Sequence, residues 1–488
     1  MALPGDRAWK RPSLWQQFFR SGLDIPELPL DIQRNNETIG LTGLRDRTGS
    51  ARPADETIRR ERQPMNTISY NRFIYEATRK ARENDTPISG YFELTPLCNL
   101  DCRMCYVHLS DPSVKGRMLS GDQWIGLMEQ AIAQGMMFAC LTGGECLTHP
   151  DFKQIYMYLI DQGVSVRIKT NGILLNRDML ALFTAYPPYV VDVSLYGCDG
   201  ESYRAVTGYD VFETVTANVR AAIAAGLHLR LMVTPSAYML PWVDRVMECA
   251  KSFGADDVFV NVMLMEANPD TGRSLEDYGL SLEENARIHR RYLELFPRKP
   301  KSRTEEAEPI SGIAADMPGI LPRGLYCNGG RTAFAIWWDG VMSPCLDFPR
   351  DVISADVRTL GFEAAWRAVN RGVKDYTVPE ACRTCSHNTS CYYCPSRHRT
   401  AAAQHQCSTA FCTWRKLLAD IEDEYGTKSL PLMSRWFPPS AAAPGKQTSA
   451  LTEREESSTE TGRKVYETPE VTRAEFDAGD RVVASGCT

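Results

Sequence analysis

Three cysteines, Cys98, Cys102 and Cys105, stand in the stretch LTPLCNLDCRMCY with the spacing C-x3-C-x2-C. Chance would place that pattern about 0.02 times in a 488-residue chain with 16 cysteines. Thiolates so spaced hold metal. A structural zinc site wants a fourth Cys or His, and His108 can supply it. A three-thiolate set also leaves one iron of a 4Fe–4S cluster without a protein ligand, an open corner able to take a substrate or cofactor. Eight more cysteines lie later in the chain: Cys327, Cys345, Cys382, Cys385, Cys391, Cys394, Cys407 and Cys412. Eight thiolates are enough for two fully ligated 4Fe–4S clusters. Zinc on the two C-x2-C pairs is the alternative, and it would leave four of the eight idle. Cys140, Cys146, Cys198, Cys249 and Cys487 are scattered.

The compartment decides what such thiols are for. The N-terminus carries charge but no apolar run after it, so it is not a secretory signal. No stretch of about 18 apolar residues is present, so no transmembrane helix is expected. A cytoplasmic protein keeps its thiols reduced, which favours metal sites over disulfides. The net charge of −6 argues against a general nucleic-acid binder. With 43% hydrophobic residues a sizeable core is available, and a wholly disordered chain is excluded.

The elements that must position the first cysteines form a series. Residues 91–95 (YFELT) alternate and lead into the cysteine loop, as a strand would. Strand-like runs at 136–144, 164–172, 190–197, 227–234 and 257–265 follow, with helical patterns at 151–162, 176–185, 212–225 and 241–253. Six strands with helices between them predict an α/β fold with a parallel sheet. Such sheets place chemistry at the carboxyl ends of their strands. The cysteine loop, Gly143-Gly144-Glu145, Asn171 and Ser194 all fall at that end.

C-x3-C-x2-C after the first strand and Thr142-Gly143-Gly144-Glu145 after the second resemble the radical S-adenosylmethionine (SAM) enzymes, over residues 88–265. The resemblance implies a partial (β/α)6 barrel in which Cys98, Cys102 and Cys105 hold a 4Fe–4S cluster. The unique iron would chelate the methionine part of S-adenosyl-L-methionine, and reductive cleavage would yield a 5′-deoxyadenosyl radical that abstracts a substrate hydrogen. It also implies that Thr142, Gly143, Gly144 and Glu145 border the methionyl amine, that Ser194 meets the ribose, and that Asn171 is a looser cofactor match. Met104 stands where the family has an aromatic or bulky residue. Cys146 replaces a proline common after Gly-Gly-Glu and reads as a small buried hydrophobe.

The later cysteines resemble a SPASM domain, over about 327–415. Cys327-x12-Gly340-x4-Cys345 matches its first half; Cys382-x2-Cys385-x5-Cys391-x2-Cys394 matches its second except for a final gap one residue short. The resemblance implies auxiliary cluster I on Cys327, Cys345 and Cys394, with Cys407 a candidate fourth ligand, and auxiliary cluster II on Cys382, Cys385, Cys391 and Cys412. Three 4Fe–4S clusters and S-adenosyl-L-methionine are thus the expected cofactors. A reductant such as flavodoxin or ferredoxin is the expected electron source.

Residues 1–66 form an unassigned arm, 67–265 the radical SAM barrel, and 266–326 a connector. That connector holds a helix opened by a capping box at Ser281 and Glu284. The resemblance implies a SPASM domain at residues 327–436, and 437–464 reads as a flexible linker. Residues 465–488 resemble a ribosomal precursor peptide through Tyr466, Pro469, Glu470, Phe476, Asp477 and Ala478; a plain tail ending in Cys487 is the other reading. The linker spans about 25–30 Å, enough to bring the tail near a barrel mouth.

The expected function is a peptide maturase that installs a thioether, C–C or C–O crosslink in a ribosomal peptide. The substrate is a precursor acting in trans or the chain's own tail, with Cys487 as the possible thioether partner. A sulfatase-maturing enzyme, oxidising Cys or Ser to formylglycine, shares this architecture and wants a general base, for which Asp347 is a candidate. An iron–sulfur carrier or scaffold is the alternative from another class. The Gly143-Gly144-Glu145 edge argues against it, because a carrier needs no cofactor-binding strand end.

Overall fold

Strand β3 (Ser165–Thr170) alternates half-buried Ser165, Arg167 and Lys169 with buried Val166, Ile168 and Thr170. That period of two marks a sheet whose faces meet different surroundings. In the computed structural model the described residues are 70–107, 109, 111–262, 271, 273–297, 327–383, 394–395 and 409–425. Strands β1 (Ser89–Glu93), β2 (Phe138–Thr142), β3, β4 (Val190–Ser194), β5 (Leu229–Val233) and β6 (Asp257–Val260) pair in parallel, each with the next. Because the order never reverses, right-handed crossovers place every connecting helix on one face. The other face is left to line a mouth, as in a partial barrel.

Helix α1 (Tyr70–Glu83) precedes β1. The crossover helices are α2 (Gly121–Ala133), α3 (Phe152–Asp161), α4 (Arg177–Ala185), α5 (Gly200–Thr207), α6 (Phe212–Ala224) and α7 (Val243–Ser252). Asn176 caps α4 by accepting from the Asp178 and Met179 amides. The main core lies between these helices and the sheet. Phe92 meets Trp124 of α2 edge-on, with ring centroids 5.9 Å apart, and both are fully buried. Val166, Ile168, Val191, Val193, Leu229 and Leu231 turn to the same face.

The six-strand expectation holds, and the sheet goes further. Strand β7 (Ala333–Ile336) pairs in parallel with β1 on the edge away from β2. Strands β8 (Val341–Ser343) and β9 (Ala355–Asp356) continue it antiparallel. Phe334 fastens this extension, packing edge-on against Phe92 at 5.8 Å and against Phe362 of α9 (Phe362–Asp375) at 5.0 Å. The capping box at Ser281 and Glu284 opens α8 (Leu282–Leu295) as expected. Against α8 lies α10 (Thr409–Glu424), with Trp414 edge-on to His289 at 6.5 Å. No described helix is long and apolar enough to cross a membrane. The arm at 1–66, the linker and the precursor-like tail with Cys487 lie outside the described residues, as do His108, Cys385, Cys391 and Cys407.

Candidate active site at the carboxyl ends of the strands

The loop after β1 is fastened on both sides by backbone. On one side the Gly144 amide donates to the Thr95 carbonyl at 2.7 Å and the Glu145 amide to the Leu97 carbonyl at 2.9 Å. This approach requires glycine. A Cβ on Gly143, whose φ is +148°, would lie 2.4 Å from the Thr95 oxygen, and one on Gly144 would lie 2.4 Å from the Leu97 oxygen. On the other side the Asp101 and Arg103 amides donate to the Thr207 and Val206 carbonyls at 3.2 and 3.0 Å, at the end of α5. Arg273 pairs with Asp101 at 2.6 Å.

Cys98, Cys102 and Cys105 share this loop closely enough to act on one another electrically. Burial pushes the Cys98 thiol up to about 12, and the neighbouring Glu145 and Cys105 add to that. Burial likewise lifts Cys102 well above the ordinary thiol range, reinforced by Cys105 and Cys98. Three donors oppose the rise: the Leu100 amide at 3.4 Å and Asn171 Nδ2 at 3.6 Å from Cys98 Sγ, and the Tyr196 hydroxyl at Cys102. Ser194 in turn hydrogen-bonds the Tyr196 hydroxyl. Donors aimed at sulfur in a buried loop suit thiolates, and thiolates there need a metal to offset their charge. The described residues contain no three His, Cys, Asp or Glu side chains converging on a single ion. Thiolates that each hold a different iron of a cube need no such convergence. The donor set therefore fits a cluster held by Cys98, Cys102 and Cys105.

Glu145 turns inward. Its buried carboxylate accepts from the Leu147 amide at 3.0 Å, the Thr170 hydroxyl at 3.0 Å and the Asn171 amide at 2.7 Å. Burial raises its pKa to about 7 against the pull of these bonds. Its side chain thus ties the end of β2 to the end of β3. What this edge offers outward is the backbone of Gly143 and Gly144, beside half-buried Thr142. Asn171 joins the two halves, bonding Asn99 Oδ1 at 2.6 Å as well as Cys98. Cys146 is fully buried and donates to the Lys169 carbonyl at 3.2 Å, in keeping with a structural thiol. Deeper in the mouth, buried Asp192 receives both Arg167 and Arg230 at 2.7–2.9 Å.

In the second cysteine group, the Gly329 amide donates to Cys327 Sγ at 3.0 Å. Gly340 makes the turn between β7 and β8 at φ +83°, where an L side chain is strained. This is the physical reason for a glycine between Cys327 and Cys345. Cys345 is buried just past β8, Cys382 and Cys394 are half-buried, and half-buried Cys412 lies on α10. Two residues after Cys345, Asp347 hydrogen-bonds Tyr106, the residue after Cys105. The carboxylate's charge is the main cause that holds the Tyr106 phenol well above its ordinary range. Sequence reasoning passed over Tyr106, Tyr196 and Glu93. A Tyr directly after Cys105 was a visible signal; nothing local marks the other two.

Residues 92–245 match the model of the Radical SAM superfamily. The chain is 26% identical over 342 residues to the AdoMet-dependent heme synthase of Methanosarcina barkeri, spanning 66% of this chain and 95% of that protein. It is 22% identical over 326 residues to the antilisterial bacteriocin subtilosin biosynthesis protein AlbA of Bacillus subtilis, covering 64% and 69%. The crystal structure of Streptococcus suis SuiB bound to S-adenosylmethionine superposes over 71% of this chain and 84% of that one, with a TM-score of 0.53 at 14% identity, a likeness of fold. Members of this family are enzymes that carry a 4Fe–4S cluster and S-adenosylmethionine. With the cysteine loop, the glycine seam and the singly wound parallel sheet in place, residues 92–245 form a radical SAM domain.

Proposed function

We propose that the protein is a peptide maturase that forms a crosslink in a ribosomally made peptide, with residues 327–436 as a SPASM domain. The observation that carries this reading is the Tyr106–Asp347 hydrogen bond. Together with the pairing of β1 and β7, it joins the loop of Cys105 to the loop of Cys345. The kinship with AlbA, a protein of bacteriocin biosynthesis, supports a peptide substrate. In this reading auxiliary cluster I takes Cys327, Cys345 and Cys394, with Cys407 as a fourth ligand, and auxiliary cluster II takes Cys382, Cys385, Cys391 and Cys412. When bound and reduced, the first cluster and S-adenosylmethionine supply a 5′-deoxyadenosyl radical able to take a hydrogen atom from the substrate. The Gly143-Gly144 backbone, Thr142, Asn171 and Ser194 would border that cofactor. Closing the new bond releases one further electron and one proton. In this reading the auxiliary clusters would accept the electron, and Asp347 is the candidate base for the proton.

A second reading follows from the heme synthase relative, of which this chain covers 95%. The test is an anaerobic reaction with reductant, S-adenosylmethionine and a synthetic peptide of residues 463–488, or the intact chain. Release of 5′-deoxyadenosine with loss of two hydrogens from the peptide supports the maturase. A hydrazide-reactive product points to formylglycine instead. Release of 5′-deoxyadenosine only when a haem precursor is supplied would sink the peptide reading.

A further inference from the structure

The seam between β1 and β7 holds two carboxyl groups, of Glu93 and Asp339, that the chemistry above leaves unexplained. Glu93 ends β1 on the face of Tyr91, Cys140, Ala333 and Ala335, opposite Phe92. It is 1% exposed, and its Oε2 has no hydrogen-bond partner. Asp339, Arg350 and Tyr106 lie close enough to interact with it electrically. Asp339 takes Arg350 on Oδ2 at 2.7 Å, while its buried Oδ1 has no partner. Arg350 is stacked over the Trp337 ring at 4.9 Å, which keeps it at Asp339. Asp347 holds the Tyr106 hydroxyl. Glu93 and Asp339 therefore share the Arg350 guanidinium, and Arg358 also acts on Asp339 from the turn beside it.

A buried acceptor left without a donor costs about 1–3 kcal/mol, and native interiors leave few such atoms. Two in one place, on Glu93 and Asp339, point to a donor that arrives from outside. Burial keeps the Glu93 carboxyl well above its ordinary range. A cation seated beside it would favour the carboxylate and release that proton to solvent.

We propose that Glu93 and Asp339 form a subsite for a cationic group of the substrate, a primary ammonium or a guanidinium, at the mouth between the two cysteine groups. This deepens the maturase reading and rests on it only for the carrier of the cation, a Lys or Arg side chain of a peptide. The chain's own tail offers Arg463, Lys464, Arg473 and Arg481.

The test is equilibrium dialysis of the full, iron-loaded chain against Nα-acetyl-arginine methylamide and its neutral citrulline counterpart. The arginine probe is expected to bind and the citrulline probe to bind at least about tenfold more weakly. Glu93→Gln and Asp339→Asn should each weaken arginine binding by a similar factor, with thermal melting showing that the variants fold. Glu93→Asp should restore part of the preference for the charged probe. Equal binding of both probes by the wild-type chain, or unchanged arginine binding in a folded Glu93→Gln, overturns the subsite. Charge-selective binding with no peptide ever modified would leave the subsite standing and remove the peptide reading.

Discussion

At the scale of single residues, the site depends on two kinds of side chain with no reactive role. Gly143 and Gly144 let two backbones meet at a distance no Cβ tolerates. Gly144→Ala would force its Cβ onto the Leu97 carbonyl, a fixed backbone atom. The expected cost is about 1–3 kcal/mol in a denaturant titration, with less iron retained at the first cluster. Glu145 makes a pH-dependent contribution. Its carboxyl is near 4.5 when unfolded and about 7 when folded, so between those values the folded chain holds a proton that the unfolded chain has lost. Stability therefore falls as pH rises through that window, by an amount on the order of 3 kcal/mol. Glu145→Gln should flatten this part of the stability–pH curve; an unchanged slope would assign it to other groups.

At the scale of elements, the junction of β1 with β7 decides how the two cysteine groups relate. Four aromatic rings close it, with Phe334 touching Phe92, Phe362 and Trp366. Phe334 is fully buried, so Phe334→Ala leaves a cavity worth about 3–5 kcal/mol. Because the cavity opens at the seam, the variant should lose iron from the second group at denaturant concentrations where the first group keeps its own. Iron counted after gel filtration at stepped denaturant checks this. Concerted loss from both would mean that the sheet unfolds as one unit. Helix α10 shows the same dependence on docking. It carries Cys412 and rests its buried Trp414 against His289 of α8.

At the scale of the whole molecule, cluster number is the most direct measure of the architecture. Eleven cysteines are candidate ligands, three on the loop after β1 and eight between Cys327 and Cys412. Three 4Fe–4S clusters predict about twelve irons per chain after anaerobic reconstitution. Replacing Cys98, Cys102 and Cys105 together by Ala should leave about eight and abolish release of 5′-deoxyadenosine. A wild-type content of about four would confine iron to the first site and remove the SPASM assignment.

The first cysteine loop, the Gly143-Gly144 edge, the six parallel strands and the capping box of α8 are legible in the sequence, because each is written in spacing and periodicity over a few residues. Cys146 as a buried thiol belongs with them. Three features were decided by the tertiary structure alone: the inward turn of Glu145, the Tyr106–Asp347 bond, and the place of β7 beside β1. Ala333–Ile336 is only four residues, too short for periodicity to distinguish from a buried turn of helix. Its partner is chosen by the aromatic contacts of Phe334 with Phe92, Phe362 and Trp366, from segments far apart in the chain. Local pattern determined which residues could carry the chemistry; long-range packing determined that the loops of Cys105 and Cys345 meet, with the carboxyl of Glu93 beside Tyr106.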